Sequence, residues 1–194
     1  MAKRGHKVGV IAEDNSDVDC VEVLIRRLTN NAHIGIKSFV GKGCGKIRKK
    51  CYAWSDQLRQ RGCSLLILIH DRDGNDVEDL IIVLNRALDP CPITTHLICI
   101  PVQEFEAWLL SDPDAIRSAM HLNKTPRIRW QPETINAPKE YLGRLIDRAS
   151  RGEKVYIHTK HNSKITEMLS IDLVRSKCPS FIPFYDFVQL NLGN

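Results

Sequence analysis

Four apolar segments recur along the first half of the chain, and each is followed by a polar turn and a stretch of helical periodicity. Near-continuous apolar segments of this length are typical of strands buried on both faces of a parallel sheet. The alternation of strand and helix predicts an α/β fold with a mainly parallel central sheet flanked by helices. The predicted strands cover residues 7–13, 33–40, 63–71 and 95–102, and the predicted helices follow a cap at Asn15 or Ser16, cover residues 47–60 and 76–88, and resume at residues 105 and 113.

The pattern changes after about residue 125. Pro126, Pro132 and Pro138 interrupt it, and helical spacing returns at residues 139–150 and 162–175. We therefore expect an α/β core at residues 1–125 and a helical C-terminal extension at residues 126–194 that packs on this core.

Composition is that of an ordinary globular protein, with 43% hydrophobic and 26% charged residues among 194. Such a chain can bury one core, and no apolar segment is long enough to cross a bilayer. The seven cysteines are odd in number and contain no C-x-x-C pair, which disfavours a disulfide framework or a zinc site. We expect a reducing, cytoplasmic location.

Positive charge is concentrated in one segment. Residues 37–61 contain eight Lys or Arg and a single acid, whereas the whole chain has a net charge of +5. Such a segment predicts a phosphate-bearing partner, namely DNA or RNA, although a solvated helix face would have the same composition. The glycines of residues 41–46 would let a backbone approach, but their spacing is not that of a P-loop. The candidate nucleic-acid-binding residues are Lys42, Lys46, Arg48, Lys49 and Lys50.

Acidic residues follow three of the four predicted strands. Ligands of an open parallel sheet bind beyond the carboxyl ends of its strands. Carboxylates crowded there need a cation or raised pKa values, and oxygen ligands suit Mg²⁺ or Mn²⁺. Each acid also has a structural explanation, as a helix cap, a turn residue or a first-turn helix acid. The candidate metal ligands are Glu13, Asp17, Asp71, Asp73, Glu104 and Glu106.

A strand that ends at Glu13, followed later by a strand that ends in DRDG (71–74), resembles a Toprim domain. More closely, the segments IAEDNSD, HDRDGND, PVQEFEAWLLSD and HNSK resemble the small stand-alone Toprim-like proteins of the DUF4276 family, which are related to the OLD-family nucleases. The resemblance covers roughly residues 7–175 and implies a Toprim-like, Rossmannoid core. It also implies that Glu13, Asp71 and Asp73 are catalytic acids, that Asp17 is a further acid, and that Lys164 is the late lysine. Asp14 stands where such families usually carry Gly.

The resemblance implies a metal-dependent nuclease, or another phosphodiester-cleaving effector, that acts on nucleic acid in a defence system with an ATPase partner. Hydrolysis is favoured over strand passage because no tyrosine of the chain lies in a recognisable nucleophile motif. Two alternatives stay open. One is a non-catalytic module of the same fold that binds nucleic acid or a partner. The other is a receiver-like domain, which would leave the acids of QEFEAW unexplained.

Overall fold

A parallel sheet of four strands, in the order β2–β1–β3–β4, forms the centre of residues 6–193. The computed structural model describes these residues, except for the side chain of Cys44. The two central strands, β1 and β3, are buried almost throughout, as their continuous apolar sequence predicted. The strands are β1 (Lys7–Ala12), β2 (Gly35–Val40), β3 (Leu65–Ile69) and β4 (His96–Cys99).

Helices surround this sheet, and helices joined by loops form the C-terminal part, which confirms the predicted α/β fold class. No helix within residues 6–193 is long and apolar enough to span a membrane. The helices are α1 (Asn15–Thr29), α2 (Cys44–Gln60), α3 (Val77–Leu88), α4 (Glu106–Leu109), α5 (Pro113–Met120), α6 (Pro138–Ser150), α7 (His158–Met168), α8 (Ile171–Lys177) and α9 (Ile182–Leu192), with 3₁₀ turns at Pro132–Thr134 and Pro179–Phe181.

Side chains of the sheet alternate between two hydrophobic clusters. Val8, Val10 and Ile67 face a larger cluster that includes residues of α1, α5, α7 and α9. Ile11 and Leu66 face a smaller cluster formed with α2 and α3. This alternation follows the two-residue period of a strand and places one layer of helices on each face of the sheet.

Residues 126–193 share the larger hydrophobic cluster with the α/β core. Leu142, Phe184 and Val188 belong to the same cluster as Val8 and Val10 of β1. The division into residues 1–125 and 126–194 stays a prediction, and its outermost residues, 1–5 and 194, lie outside the described residues.

Several helices differ from the sequence expectation. Helix α2 begins at Cys44, inside the segment predicted to be a glycine-rich loop. The single helix predicted at residues 162–175 is two helices, because Leu169 leaves the helical conformation and Ser170 caps α8 by accepting the Leu173 N–H. Helix α9 was not predicted. Its Pro183 is typical of a break but lies in the first turn, where proline is tolerated.

Candidate functional site

The segments that follow β3 and β4 run side by side beyond the carboxyl edge of the sheet. The backbone N–H of Arg72 donates to Pro101 O at 3.3 Å, and that of Asp73 donates to Gln103 O at 3.2 Å. These bonds continue the pairing of the two parallel strands and bring Asp71 alongside the start of α4. The edge also receives Glu13, which directly follows β1, the neighbour of β3.

Asp71 is buried at this edge, with only 8% of its surface exposed. Its Oδ1 accepts the backbone N–H of Phe105 at 3.1 Å, which ties it to the turn before α4. Burial raises the pKa of the Asp71 carboxyl well above its usual range, and the negative charges of Asp17, Glu106, Glu13 and Asp73 raise it further. Four other acids therefore act on one buried carboxyl group.

Asp17 enters the same cluster from the first turn of α1. Burial raises its pKa well above the usual range, and the charges of Asp14 and Glu106 add to the effect. The cap of α1 is Asp14 rather than Asn15 or Ser16, because Asp14 Oδ1 accepts the Asp17 N–H at 3.1 Å while Asp17 Oδ2 accepts the Asp14 N–H at 3.2 Å. This reciprocal cap gives Asp14 a structural role at the position where glycine was expected.

Glu106 is the most enclosed acid of the cluster, with 2% exposure. Its Oε1 accepts from the hydroxyl of Tyr156 at 3.1 Å and from Nδ2 of Asn162 at 3.0 Å. Burial raises the pKa of Tyr156, and the adjacent Glu106 charge raises it further. These contacts bind α4 to the segment before α7 and to α7 itself.

Lys139, in the first turn of α6, is a cation that the structure brings to these acids. Its Nζ lies 3.8 Å from Glu104 Oε1 and 3.9 Å from Glu106 Oε1, and its backbone N–H donates to Glu104 Oε2 at 2.9 Å. Burial alone would lower the pKa of Lys139, but the charges of Glu106 and Glu104 raise it. Burial also raises the pKa of Glu104. Lys139 therefore offsets the negative charge of the cluster at Glu104 and Glu106.

Two residues beside the cluster adopt left-handed backbone conformations that are uncommon outside glycine. Asp73 has φ +49° and Gln103 has φ +62°. Gln103 accepts twice from the facing turn, through its backbone oxygen from Asp73 N–H and through Oε1 from Gly74 N–H at 3.1 Å. Such conformations persist only where the surroundings fix them, and they cluster at functional sites. Asp73 itself is exposed at the rim of the cluster.

The basic segment lies directly against the acidic cluster. The backbone N–H of Lys42 donates to Glu13 O at 2.8 Å. Arg48 Nε donates to His70 Nε2 at 3.4 Å, and His70 Nδ1 donates to Asp71 O at 2.7 Å. Burial lowers the pKa of His70, which agrees with a neutral ring that accepts at Nε2. The remaining candidates are exposed on the first turns of α2: Lys46, Lys49 and Lys50.

The structure explains why glycine occupies two positions of this segment. A Cβ on Gly41 would lie 2.6 Å from Ile47 Cγ1, so only glycine lets α2 pack this close. Gly43 precedes α2 with φ +119°, a conformation that side chains disfavour. The glycine pattern therefore positions the start of α2 whether or not a ligand binds there.

None of the ion pairs among residues 6–193 joins Lys164 to Asp17, Asp71 or Glu106. Lys164 is exposed on α7, and its charge acts on His161. Asn162, two residues earlier and about 200° around the helix, faces Glu106 instead. His158 of the same helix lies with Nε2 3.3 Å from Asp14 Oδ2. The catalytic role of Lys164 stays a prediction.

Sequence reasoning missed Lys139, Tyr156 and Asn162. One signal could have found Lys139. It follows Pro138 at a helix start, where the helix dipole disfavours a cation. A lysine there needs acids from another part of the chain.

The carboxylate oxygens of the cluster are the donor type that Mg²⁺ and Mn²⁺ prefer. Within residues 6–193, however, no three His, Cys, Asp or Glu side chains are arranged to hold a metal ion. Asp71 uses Oδ1 for the Phe105 N–H, which leaves Oδ2 for a cation. The carboxylate oxygens thus fit a hard cation such as Mg²⁺. Binding of such a cation would require the acidic side chains to turn towards one point.

Fold and site define a parallel α/β protein with a buried acidic cluster at the carboxyl edge of its sheet. The family described as "Domain of unknown function (DUF4276)" matches residues 12–189, which is most of the chain. The chain belongs to this family, as the sequence motifs indicated. No curated protein and no solved structure matches the chain.

Proposed function

We propose that the chain is a divalent-cation-dependent phosphodiester hydrolase that cleaves nucleic acid through a Toprim-like site. The observation that carries the proposal is the buried acidic cluster. Asp17, Asp71 and Glu106 come from three separate elements, and burial together with their mutual repulsion raises the pKa of the first two. Buried acids of like charge are costly, and such perturbed groups concentrate at sites of ligand binding and catalysis.

Glu13, Asp71 and Asp73 would hold the cation, and Asp17, Glu104 and Glu106 would complete the acidic surroundings. When bound, Mg²⁺ or Mn²⁺ would polarise the phosphodiester and stabilise charge on the leaving oxygen. Binding would also relieve the repulsion that raises the pKa of Asp71. This relief gives the cation a thermodynamic reason to bind at this edge of the sheet.

The chain's own residues fix the acids and supply positive charge. The Phe105 N–H holds one oxygen of Asp71 in place. His70 connects the backbone of Asp71 to Arg48, so that an arginine from the basic segment lies at the edge of the acidic cluster. A guanidinium in this position can donate to a phosphate oxygen. Nucleic acid bound along α2 would therefore pass close to the acids.

Cleavage of labelled oligonucleotides in Mn²⁺ tests the proposal. Single-stranded and duplex DNA and RNA are compared for wild type, Asp73→Asn and the control Asp79→Asn, whose acid is exposed on α3. We expect Asp73→Asn to lose cleavage while it keeps the fold, because the substitution removes a ligand charge. Asp79→Asn should cleave like wild type. Cleavage by Asp73→Asn at the wild-type rate would contradict the catalytic role of this acid.

The ATPase partner and the defence role rest on the resemblance to OLD-family systems alone. The cleavage assay is therefore repeated with a candidate ATPase partner and ATP. Activity that requires both proteins would support an effector that is silent on its own.

A non-catalytic module that binds nucleic acid or a partner is the second candidate. It is favoured by the lack of a closed metal arrangement within residues 6–193 and by the internal contacts of Glu104 and Glu106. In this case wild type would bind oligonucleotides in a salt-sensitive manner but would not cleave them, with or without the partner. The cleavage assay, together with binding of the same oligonucleotides at several salt concentrations, decides between the two candidates.

A further inference from the structure

A basic groove runs along one side of α6 and the loop that leads into it. Its volume is about 730 Å³. The lining includes the exposed Trp130 and the half-buried Tyr141. Six exposed cations surround it: Lys124, Arg127, Arg129, Arg144, Arg148 and Arg151.

These six charges have no acidic counterpart in the groove. Its lining contains no Asp or Glu, and none of the ion pairs found among residues 6–193 includes any of the six. Like charges around one cavity repel each other and create a field that attracts anions. Arg144 and Arg148 lie one turn apart on α6, about 6 Å along its axis, and Arg151 directly follows the helix. A row of cations of this length suits a polymer of phosphates better than a single anion.

The aromatic residues identify the form of the polymer. Trp130 is 66% exposed, which is unusual for so large an apolar side chain, and it borders the same groove as the arginines. Exposed aromatic side chains beside cations are the means by which proteins stack unpaired bases while holding the backbone. A duplex conceals these base faces. An acidic peptide would satisfy the charges but would leave Trp130 without a stacking partner.

We propose that this groove binds single-stranded nucleic acid, with Arg144 and Arg148 on the phosphates and Trp130 stacked on a base. The proposal rests on the proposed function for its ligand class, but it concerns a separate site. Arg148 is nine residues from Lys139 on α6, which places the two side chains on opposite sides of the helix. The groove would hold a strand away from the acids rather than at them.

Fluorescence anisotropy in EDTA, with a labelled oligothymidine of about 20 nucleotides, measures binding without cleavage. Arg144→Gln/Arg148→Gln is compared with Lys7→Gln/Arg86→Gln, a control that removes the same charge from exposed positions on β1 and α3, outside the basic segment. We expect the groove variant to bind more weakly and to reduce the log–log salt slope by about 1.4, or about 0.7 for each phosphate contact. Trp130→Ala should weaken binding by about 5- to 160-fold. All substituted residues are exposed, and melting curves check the fold.

Equal binding by the groove variant and its control would overturn the proposal, as would unchanged binding by Trp130→Ala. Two competitors test the occupant. If an unlabelled duplex or a poly-aspartate peptide displaced the oligothymidine as well as unlabelled oligothymidine does, the assignment to single strands would be wrong. Failure of the hydrolase proposal would look different. The wild-type protein would then bind the oligothymidine through the groove but would not cleave nucleic acid.

Discussion

Replacing Asp71 by Asn and by Ala separates the two effects of this carboxyl group on the fold. Its Oδ1 accepts the Phe105 N–H at 3.1 Å, and its charge is opposed by burial and by the neighbouring acids. Asn keeps an acceptor oxygen and removes the charge, whereas Ala removes both. The two variants therefore differ mainly in whether a buried N–H keeps its partner.

The structure sets the size of this difference. A buried donor that loses its acceptor costs about 1–3 kcal/mol. Asp71→Ala should be less stable than Asp71→Asn by this amount, which corresponds to about 2–12 °C in melting temperature for a chain of this size. In cation-free buffer at about pH 8, Asp71→Asn should be at least as stable as wild type, because burial and then the charges of Asp17 and Glu106 disfavour the carboxylate form of Asp71 in the fold.

Urea denaturation in EDTA measures these differences, and an unchanged m-value shows that the unfolding transition is comparable. Asp79→Asn, on the exposed side of α3, serves as the control for loss of an acid. Equal stability of the Ala and Asn variants would mean that the Phe105 bond contributes nothing. If Asp71→Asn were clearly less stable than wild type, the acids around Asp71 would not lower the stability of the wild-type fold.

Three further predictions follow from the same contacts. The pKa values of Asp17 and Asp71 are raised in the folded state, so the native protein holds their protons more tightly than the unfolded chain does. The free energy of unfolding without cation should therefore fall as pH rises above about 4. Urea titrations at several pH values should show this fall, and should show it less steeply for Asp17→Asn. Tyr156→Phe removes a hydrogen bond to the charged Glu106 and should cost about 1.5–3 kcal/mol in chemical denaturation, whereas Tyr52→Phe at an exposed site should not. Replacing Lys46, Lys49 and Lys50 by Ala should flatten the slope of log affinity against log salt concentration by about 0.7–0.9 for each lost phosphate contact, as oligonucleotide binding at several salt concentrations would show. An unchanged slope would mean that these lysines form only a solvated face.

The strands of the sheet could be predicted because the pattern that indicates each strand lies within a few consecutive residues. Segments such as Leu65–Ile69 are apolar at every position, and a short run of this kind bounded by turn residues is typical of a strand covered on both faces. The same segments end at acids, so the position of Asp71 at the carboxyl edge follows from the parallel arrangement. Helix α9 escaped prediction because its apolar residues surround most of the helix and obscure the 3.6-residue period.

The contacts that neutralise the acidic cluster could not be predicted, because they join distant parts of the chain. Glu106 meets Tyr156 across 50 positions and Asn162 across 56. No local period relates such residues, and one sequence contains no record of their pairing. Lys139 shows the same limit, because it reaches the acids only through the placement of α6.

The two bonds between Gln103 and the Asp73–Gly74 turn make the loops after β3 and β4 interdependent in length. One bond uses the backbone oxygen of Gln103 and the other uses its side chain, so a residue inserted into either loop would displace both. Loops between secondary-structure elements ordinarily tolerate insertions. Here we expect insertions and deletions among relatives to occur in both loops together or in neither, and grafting one loop from a relative to require its partner.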